Sequence, residues 1–321
     1  MSKITKIWLI IAASFVLIGC IVFGGVMTML KWDFTKLSTG KYETNDYEIA
    51  ENFDNISIVT DTADILLVPS ENRKASVVCH ELKNAKHSVT VQNGRLVIEI
   101  VDTRKWYEYI GINFGTPKIT VYIPQGEYGA LFVKSSTGNV EIPKEFKFEN
   151  IDISESTGNV TNHASASENI IIKTSTGDIR VENVSAGTLD LSVSTGRVAV
   201  SDVTCEGDVT VGVSTGKTHL TDIVCKSVIS NVSTGDITLD NVIAAEKLSI
   251  KRSTGDVKFD RSDAAELFVE TDTGDITGSL LSDKVFVVEA DTGNVDVPKT
   301  VTGGKCEITT ATGDINISIK Q

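Results

Sequence analysis

Aspartate side chains recur at fixed places in the second half of this 321-residue chain, and their oxygens are the ligands that Ca²⁺ prefers. Asp256 and Asp275 directly follow the glycines of two Thr-Gly steps. Asp272 and Asp291 lie two places before such glycines, where most repeats have serine. If the repeats stack, these carboxylates lie together at one corner of the stack, and this arrangement predicts a calcium site. The alternative is ordinary solvated turn residues, and the nonapeptide signature of calcium β-rolls is absent.

No residue pattern indicates an enzyme. The four histidines have no recognisable metal-ligand or catalytic-triad spacing, and they are His80, His87, His163 and His219. A β-helix can carry lyase or hydrolase chemistry on clustered carboxylates, but such enzymes surround a groove with long loops. The repeats here are too short to contain such loops. We therefore expect a protein that is not an enzyme and has no cofactor other than calcium.

Ten Thr-Gly steps, spaced 19 or 20 residues apart, must position any such site. In most repeats, apolar residues occupy the second and fourth places after the glycine and the seventh and fifth places before it. This alternation, rich in Val and Ile, indicates strands with one buried face. One repeat cannot bury its apolar face alone, so successive repeats must stack in register. We predict an all-β fold, a parallel β-solenoid of about ten coils, with corner glycines at Gly138, Gly158, Gly177, Gly196, Gly216, Gly235, Gly255, Gly274, Gly293 and Gly313.

The chain before the repeats divides into a polar stalk at 31–48 and a β-rich but irregular region at 49–129. Residues 62–65, Thr-Ala-Asp-Ile, resemble a degenerate Thr-Gly-Asp-Ile corner. We predict that the irregular region forms the first coils and covers the open end of the regular solenoid at 130–321. At the other end, the strand at 315–321 should be the last of the stack, with an unpaired edge suited to strand addition.

An uncharged apolar run at 7–30 is long enough to cross a bilayer as one transmembrane helix. Two lysines in the tail at 1–6 favour a cytoplasmic N-terminus, which places the bulk of a single-pass cell membrane protein outside. A cleaved signal peptide usually has a shorter apolar core. Residues 17–20, Leu-Ile-Gly-Cys, resemble a lipoprotein cleavage box, but the chain stays apolar after Cys20. Lipoprotein anchoring is therefore the less favoured alternative.

Two groups of apolar residues are candidates for contact with a partner. The first concentrates aromatic side chains in a chain with few of them, at Trp106, Tyr107, Tyr109 and Phe114. These residues either cover the core of the first coil or contact a partner or a membrane surface. Phe268 and Val287 occupy the sixth place before their glycines on consecutive repeats, where other repeats have polar residues. They predict an outward apolar pair on adjacent coils.

Charge and cysteine content restrict the partners further. The formal net charge of −13 argues against nucleic acid, because phosphate neutralisation needs clustered Lys and Arg. The five cysteines do not form a disulfide framework. Cys205 and Cys225 both lie nine places after their glycines, where other repeats have alanine. The spacing indicates a column of small buried side chains, and it leaves open a disulfide between adjacent coils.

The whole arrangement resembles a known bacterial family. One apolar span, a β-rich region that ends in Ile-Thr-Val-Tyr-Ile-Pro at 119–124, and Ser-Thr-Gly-Asp/Asn-Val/Ile repeats are similar to a family catalogued as putative adhesins, a β-strand-repeat domain of unknown function. The resemblance covers nearly everything after residue 45 and brings no catalytic residues with it. It implies that membrane-anchored members are accessory components encoded beside envelope-stress regulators.

We therefore expect a non-enzymatic cell-surface solenoid, an adhesin or interaction module that contacts cell-wall polymer or a surface or membrane protein. The alternative is an accessory sensor or regulatory component of a cell-envelope stress system. The tail at 1–6 is too short to signal by itself, so a regulatory role would require a partner within the bilayer.

Overall fold

The structure is a computed structural model that describes three ranges of the chain, 2–37, 40–109 and 115–320. Within these ranges the only α-helix, α1, spans Lys3–Met29 and begins at the N-cap residue Ser2. Its 27 residues extend over about 40 Å, which exceeds the hydrocarbon thickness of a bilayer. Of its side chains only Met27 is buried. By length and composition α1 could serve as a membrane anchor or as a signal sequence.

Twenty-three strands among the described residues form one continuous sheet. The N-terminal region contains β1 Tyr42–Ile49, β2 Asn55–Val59, β3 Asp64–Pro69, β4 Ala75–Leu82, β5 Ala85–Gln92, β6 Arg95–Asp102 and β7 Lys118–Ile123. The first repeats contain β8 Gly126–Thr137, β9 Val140–Ile142, β10 Phe146–Thr157, β11 Val160–Asn162, β12 Ser165–Thr176, β13 Ile179–Thr195, β14 Val198–Cys205 and β15 Asp208–Thr215. The later repeats contain β16 Thr218–Thr234, β17 Ile237–Thr254, β18 Val257–Thr273, β19 Ile276–Leu280, β20 Lys284–Thr292, β21 Val295–Asp296, β22 Gly304–Thr312 and β23 Ile315–Ile319. Short 3-10 helices cover Phe34–Leu37 and Trp106–Tyr109.

Each regular coil changes direction three times and therefore has three β segments. In β13, buried residues alternate along the strand, but the alternation slips by one residue at Asn183 and again next to Gly187. Asn183 is left-handed, with φ of 56°, and the same bend recurs at Asp202, Asp222, Asn241 and Arg261. Neighbouring coils are parallel and in register, as where Ile179 pairs with Val198. The predicted all-β solenoid of about ten turns is confirmed.

Glycine is required at the corners because adjacent coils approach closely there. Gly158 has φ of 152°, and a Cβ added to it would lie 1.6 Å from the carbonyl oxygen of Gly138 in the neighbouring coil. The Gly138 backbone N–H donates a hydrogen bond to the carbonyl of Thr157 at 3.0 Å. The absence of a side chain at the corner glycines therefore permits both the turn and the close stacking of neighbouring coils.

The last coils stack out of sequence order, which corrects the expectation that 315–321 forms the unpaired edge. β22 lies between β18 and β20, so that Cys306 pairs with both Leu267 and Phe286. β23 likewise lies between β19 and β21. Insertion between two neighbours buries the inward residues Ile308 and Ile315 almost completely. The outermost coil is instead formed by β20 and β21, and we call these two strands the end coil.

The N-terminal region is also stacked out of order. β2 lies between β8 and β6, and β3 lies between β9 and β7. The Asp64 side chain accepts a hydrogen bond from the Asn139 backbone N–H at 2.8 Å, so 62–65 is a coil corner, as predicted. β4 then pairs antiparallel with β7 and β1, while β5 pairs antiparallel with β6. We call β1, β4 and β5 the N-terminal cap, because they close this end of the sheet.

One interior column of the solenoid carries charged groups. The third residue before each corner glycine lies in this column, which includes Glu155 and Arg252, 5% and 4% exposed. Neither the Glu155 carboxyl oxygens nor the Arg252 guanidinium nitrogens have a hydrogen-bond partner within the described chain. Burial raises the pKa of Glu155 to about 7 and lowers the pKa of Arg252 to about 10. The stability of the solenoid therefore depends on whether these buried side chains are ionised.

Candidate functional site

The side chains that follow the corner glycines form a hydrogen-bonded ladder along one corner of the solenoid. Asp256 Oδ1 accepts a hydrogen bond from the Asp275 backbone N–H at 2.9 Å. Asp275 Oδ1 accepts one from the Asp314 backbone N–H at 2.8 Å. The same contact joins Asn139 and Asn159 at 3.0 Å. Asp and Asn recur at this place because their side-chain oxygens satisfy a backbone donor of the adjacent coil.

The four aspartates of the predicted calcium site lie further apart than the sequence suggests. Ala311 of the inserted coil lies between the corner of Asp272 and that of Asp291, since β22 separates β18 from β20. Asp256 and Asp275 each use one carboxylate oxygen in the ladder. Across 2–37, 40–109 and 115–320, no three ligand atoms of these four residues come within 4.8 Å of one another. Calcium binding at this corner stays a prediction.

Two of the aromatic candidates before the repeats lie at the surface. Trp106 and Tyr109 lie on a 3-10 helix and are 77% and 57% exposed. The Tyr109 hydroxyl donates a hydrogen bond to Asp102 Oδ2 at 2.7 Å, which fixes the ring at the surface. The interpretation as a core cover is wrong for these two residues, and partner contact stays a prediction. Phe114 and the side chain of Tyr107 lie outside the described residues.

Phe268 and Val287 do not lie on adjacent coils, which corrects the predicted apolar pair. Both residues pair with Glu307 of β22, which lies between them. The Lys247 ammonium lies 4.4 Å from the centroid of the Phe268 ring, and the Lys305 ammonium lies 5.5 Å from it. Insertion of β22 has therefore placed the Glu307 carboxylate between the two apolar side chains and the Lys305 ammonium over the Phe268 ring, where Lys247 of β17 already lies.

The end coil exposes three valine side chains. Val285, Val287 and Val295 are 40%, 52% and 47% exposed. The inward residues Phe286 and Val288 are only partly buried, although the same columns are fully buried in the regular coils. Within the described residues β22 is the only strand that pairs with β20. One edge of the end coil therefore offers free backbone groups beside an incompletely covered core.

A buried lysine fixes the end coil to the rest of the rod. Lys284, 3% exposed, forms an ion pair with Asp263 Oδ1 at 2.6 Å. Its ammonium also donates hydrogen bonds to the Ala264 carbonyl at 2.7 Å and the Ser282 hydroxyl at 2.8 Å. All three donors of the ammonium are therefore satisfied, which is the condition for a buried charge to be tolerated.

A buried polar cluster lies beneath the N-terminal cap. Glu81 Oε2 accepts a hydrogen bond from the His87 backbone N–H at 2.6 Å and lies 2.7 Å from Nδ1 of the same residue. The other ring nitrogen, Nε2, lies 2.8 Å from the Thr60 hydroxyl. Asn45 donates to Glu81 Oε1 at 2.7 Å. Cys79 is fully buried beside them, and burial raises the pKa of its thiol to about 12. We call Thr60, Cys79, Glu81 and His87 the cap cluster.

The cap cluster contains a hydroxyl, an imidazole and a carboxylate in line, which is an order that can activate a nucleophile. Thr60 and His87 are, however, only 5% and 4% exposed. The cavity beside them, lined by Glu81 and Arg104 among others, has a volume of about 30 Å³. That volume accommodates one water molecule and no substrate. The arrangement can therefore hold a proton or an ion, but it does not form an accessible catalytic site.

From the sequence, only Cys79 and Glu81 of this cluster could be placed together. Cys79 and Glu81 alternate along one strand, so they must share a face. Two residues join β4 to β5, and a regular hairpin would place His87 opposite the exposed His80 instead. The two strands pair at only one position and then separate, because β4 joins β7 and β5 joins β6. This separation turns His87 inward towards Glu81.

The two cysteines on adjacent coils do not form a disulfide. Cys205 and Cys225 are free, and each is 3% exposed. The Cys205 thiol lies 3.2 Å from the Gly187 carbonyl oxygen, and the Cys225 thiol lies 3.5 Å from that of Ser227. They belong to a column of small buried side chains, which was one of the two interpretations that the spacing left open.

A protein-family model matches residues 53–214 and matches again at 206–321. Together the two matches contain the end coil, the cap cluster and every corner glycine. The chain belongs to the Toastrack DUF4097 family. The resemblance inferred from the repeats is thereby confirmed for the fold. In this Toastrack chain α1 and all of β1 lie before the matched residues.

Three solved structures are similar to this Toastrack chain. A putative lipid binding protein from Parabacteroides distasonis ATCC 8503 is 18% identical, with 75% of this chain and 95% of that chain covered and a TM-score of 0.46. A putative adhesin from Bacteroides fragilis NCTC 9343 is 15% identical, with coverage of 87% and 97% and a TM-score of 0.39. A putative adhesin from Parabacteroides merdae ATCC 43184 is 11% identical, with coverage of 88% and 98% and a TM-score of 0.41. No curated protein matches the chain. Such distant likeness transfers no ligand or partner.

Proposed function

We propose that this Toastrack chain is a non-enzymatic surface module, an adhesin-like rod that binds a protein partner through its end coil. One observation carries the proposal: β20 has a free edge, and the inward residues Phe286 and Val288 beside it are only partly covered. A strand added to this edge would pair the free backbone groups and complete the burial of both side chains. Strand addition is a mode of recognition that proteins can supply and that wall polymers cannot.

The anchoring of the rod belongs to the same proposal. α1 would cross the cell membrane once, with the tail at 1–6 in the cytoplasm and the solenoid outside. Support comes from the length of α1, the exposure of nearly all its side chains, and the two lysines that precede its apolar residues. Cys20 is exposed on the same helix, so attachment of a lipid at this residue remains the alternative anchor.

Sedimentation with cell-wall sacculi tests the proposal directly. The full chain in detergent would be centrifuged with sacculi from the same organism, prepared either with their associated proteins or after protease treatment. We expect saturable co-pelleting with the untreated sacculi and loss of binding after protease treatment. Equal binding to both preparations would identify wall polymer as the partner instead. Parallel samples with calcium and with a chelator would show whether the corner aspartates take part.

Two matched variants decide whether the end coil is the binding surface. Val287 on the end coil and Val224 in the middle of the rod are 52% and 54% exposed, so Val287→Lys and Val224→Lys change equally exposed side chains. We expect Val287→Lys to weaken binding at least tenfold and Val224→Lys to leave it unchanged. If both variants bind as the unmodified chain does, the end coil is not the binding surface.

The regulatory alternative has its own outcome in this experiment. If neither preparation of sacculi retains the chain, contact with the wall is excluded. The acting surface would then be α1 or the surface of the rod nearest the membrane. A role as a sensor or regulator in an envelope-stress system, exerted through another membrane protein, would in that case replace the adhesin-like function.

A further inference from the structure

We infer that the cap cluster is a binding site for a divalent metal ion of the zinc class, with Cys79, Glu81 and His87 as protein ligands. The Cys79 sulfur, a Glu81 carboxylate oxygen and a His87 ring nitrogen lie within 4.8 Å of one another, and all three residues are buried. Among the described ranges, 2–37, 40–109 and 115–320, this is the only group of three such side chains. The inference is independent of the function proposed for the end coil.

The types of ligand atom select the class of metal. Thiolate sulfur, imidazole nitrogen and carboxylate oxygen are the three groups that bind Zn²⁺ in proteins. Ca²⁺ and Mg²⁺ take oxygen ligands, so a site with a thiolate disfavours them. The charges also balance, because a thiolate and a carboxylate together neutralise one divalent cation. A neutral site is the kind that a fully buried position can tolerate.

The backbone already holds the three ligands on two consecutive strands. Cys79 and Glu81 alternate on β4, and His87 comes from β5 directly after the connecting turn. His87 Nδ1 faces Glu81 at 2.7 Å and would bind the ion, while Nε2, 2.8 Å from the Thr60 hydroxyl, would donate its proton there. A second hydrogen bond of this kind is the usual way in which a metal-binding imidazole is oriented.

Binding replaces one proton and one hydrogen bond with the ion. The Cys79 thiol releases a proton, and the single proton of a neutral His87 ring moves from Nδ1, where it is shared with Glu81, to Nε2, where it is donated to Thr60, so that the ion takes the place of the His87–Glu81 hydrogen bond. The adjacent cavity of about 30 Å³, lined by Glu81 and His87, has room for one water molecule as a fourth ligand. The ion would join β4 to β5 and so stabilise the N-terminal cap.

Cobalt substitution and thermal unfolding test the site on the full chain in detergent, after removal of metal with a chelator. Co²⁺ serves as the probe because it absorbs intensely when a thiolate binds it. We expect one Co²⁺ per chain, a thiolate-to-cobalt absorption band, and loss of that band when Zn²⁺ is added. We also expect Zn²⁺ at about a hundred times its Kd to raise the Tm by roughly 5 °C.

Cysteine variants provide the matched control. Cys79→Ser should lose the absorption band and the rise in Tm, whereas Cys205→Ser should keep both, because Cys205 is equally buried but belongs to no ligand group within the described chain. If Cys79→Ser does not fold, Glu81→Gln should keep the thiolate band but weaken Zn²⁺ binding at least tenfold. Absence of the band in the unmodified chain, or an unchanged band in Cys79→Ser, would overturn the inference.

Discussion

The stack of coils ends in opposite ways at the two ends of this solenoid, since one end is covered by other strands and the other end is not. At the N-terminal end, antiparallel strands cover the first coils and bury the cap cluster, in which Glu81 is 1% exposed. At the other end, the end coil leaves Val287 52% exposed and the inward Phe286 partly covered. A stack of strands must stop somewhere, and each stop exposes an edge and a cross-section of the core.

This difference between the covered end and the end coil indicates where a partner can bind. At the N-terminal end, the cap strands β4 and β5 run antiparallel to the strands on which they pack, so the described chain does not continue the parallel stack there. An end without a cap keeps both a free edge and apolar area, which are the two requirements for strand addition. The proposed binding surface therefore lies at one end of the rod only, and the four predictions below compare its two ends and the coils between them.

The largest expected effect concerns the acidic residues of the two ends. Glu81→Ala, measured without metal, should lower the free energy of unfolding by about 3–5 kcal/mol, because it leaves the backbone N–H and the ring Nδ1 of the buried His87 without an acceptor. Glu289→Ala on the exposed face of the end coil should change it by less than about 0.5 kcal/mol. Urea unfolding measures both, and equal effects would contradict the contrast between the ends.

Core phenylalanines should show a smaller difference between the ends. Phe146 is fully buried near the N-terminal cap, so Phe146→Ala should cost about 3–5 kcal/mol. Phe286 of the end coil is only partly buried, so Phe286→Ala should cost about half as much. The same unfolding experiment compares the two variants. A cost for Phe286→Ala as high as that for Phe146→Ala would mean that the end coil is covered in solution.

The pH dependence of stability should report on Glu155, which lies in the regular coils and at neither end. Burial raises the pKa of Glu155 to about 7, above its ordinary value near 4.5, so the folded state retains a proton that the unfolded state has lost between these two values. Glu155 should therefore contribute stability that is fully present below about pH 4.5 and lost as the pH rises to about 7, at up to about 1.4 kcal/mol per pH unit. Thermal melts at pH 5 and pH 7.5 should show this loss in the unmodified chain and a smaller loss in Glu155→Gln.

The smallest expected effect concerns the corner ladder. Asp256→Ala removes the acceptor of the Asp275 backbone N–H and should cost about 1 kcal/mol. Asp291→Ala, at an exposed corner of the end coil, should cost less than about 0.5 kcal/mol. If calcium at millimolar concentration raises the Tm of the unmodified chain and of neither variant, the corner binds calcium after all. An unchanged Tm would remove the calcium site.

Much of the fold could be predicted because its causes are local. Gly158 is glycine because of its φ of 152° and the close approach of Gly138. The spacing of the Thr-Gly steps predicts a corner at this place, and the structure adds the close approach. The burial of Ile179 and Val198 follows from alternation around the corners. The exposure of Trp106 could not be predicted in this way, because a concentration of aromatic residues is consistent both with a cover over the core and with an exposed contact surface.

The candidate sites could be predicted only in part, for the same reason. The Asp residues at the corners were visible in the sequence, but the separation of Asp272 from Asp291 depends on which coil lies between them. Cys79 and Glu81 could be placed on one face of a strand. His87 could not be placed with them, since β4 and β5 separate after a single paired position.

The sequence by itself determined the repeating unit of this protein, the glycine corners, the buried columns and the apolar helix at the N-terminus. Each of these depends on residues within one repeat or within one helical segment, where sterics and alternation leave few choices. Only the tertiary structure decided the order of the coils. Parallel strands of equal repeats can pair with any neighbour of matching pattern, so the last coil inserts beside β18 and leaves β20 at the edge. That choice decided which surface is open, and the separation of β4 from β5 decided which side chains form the cap cluster.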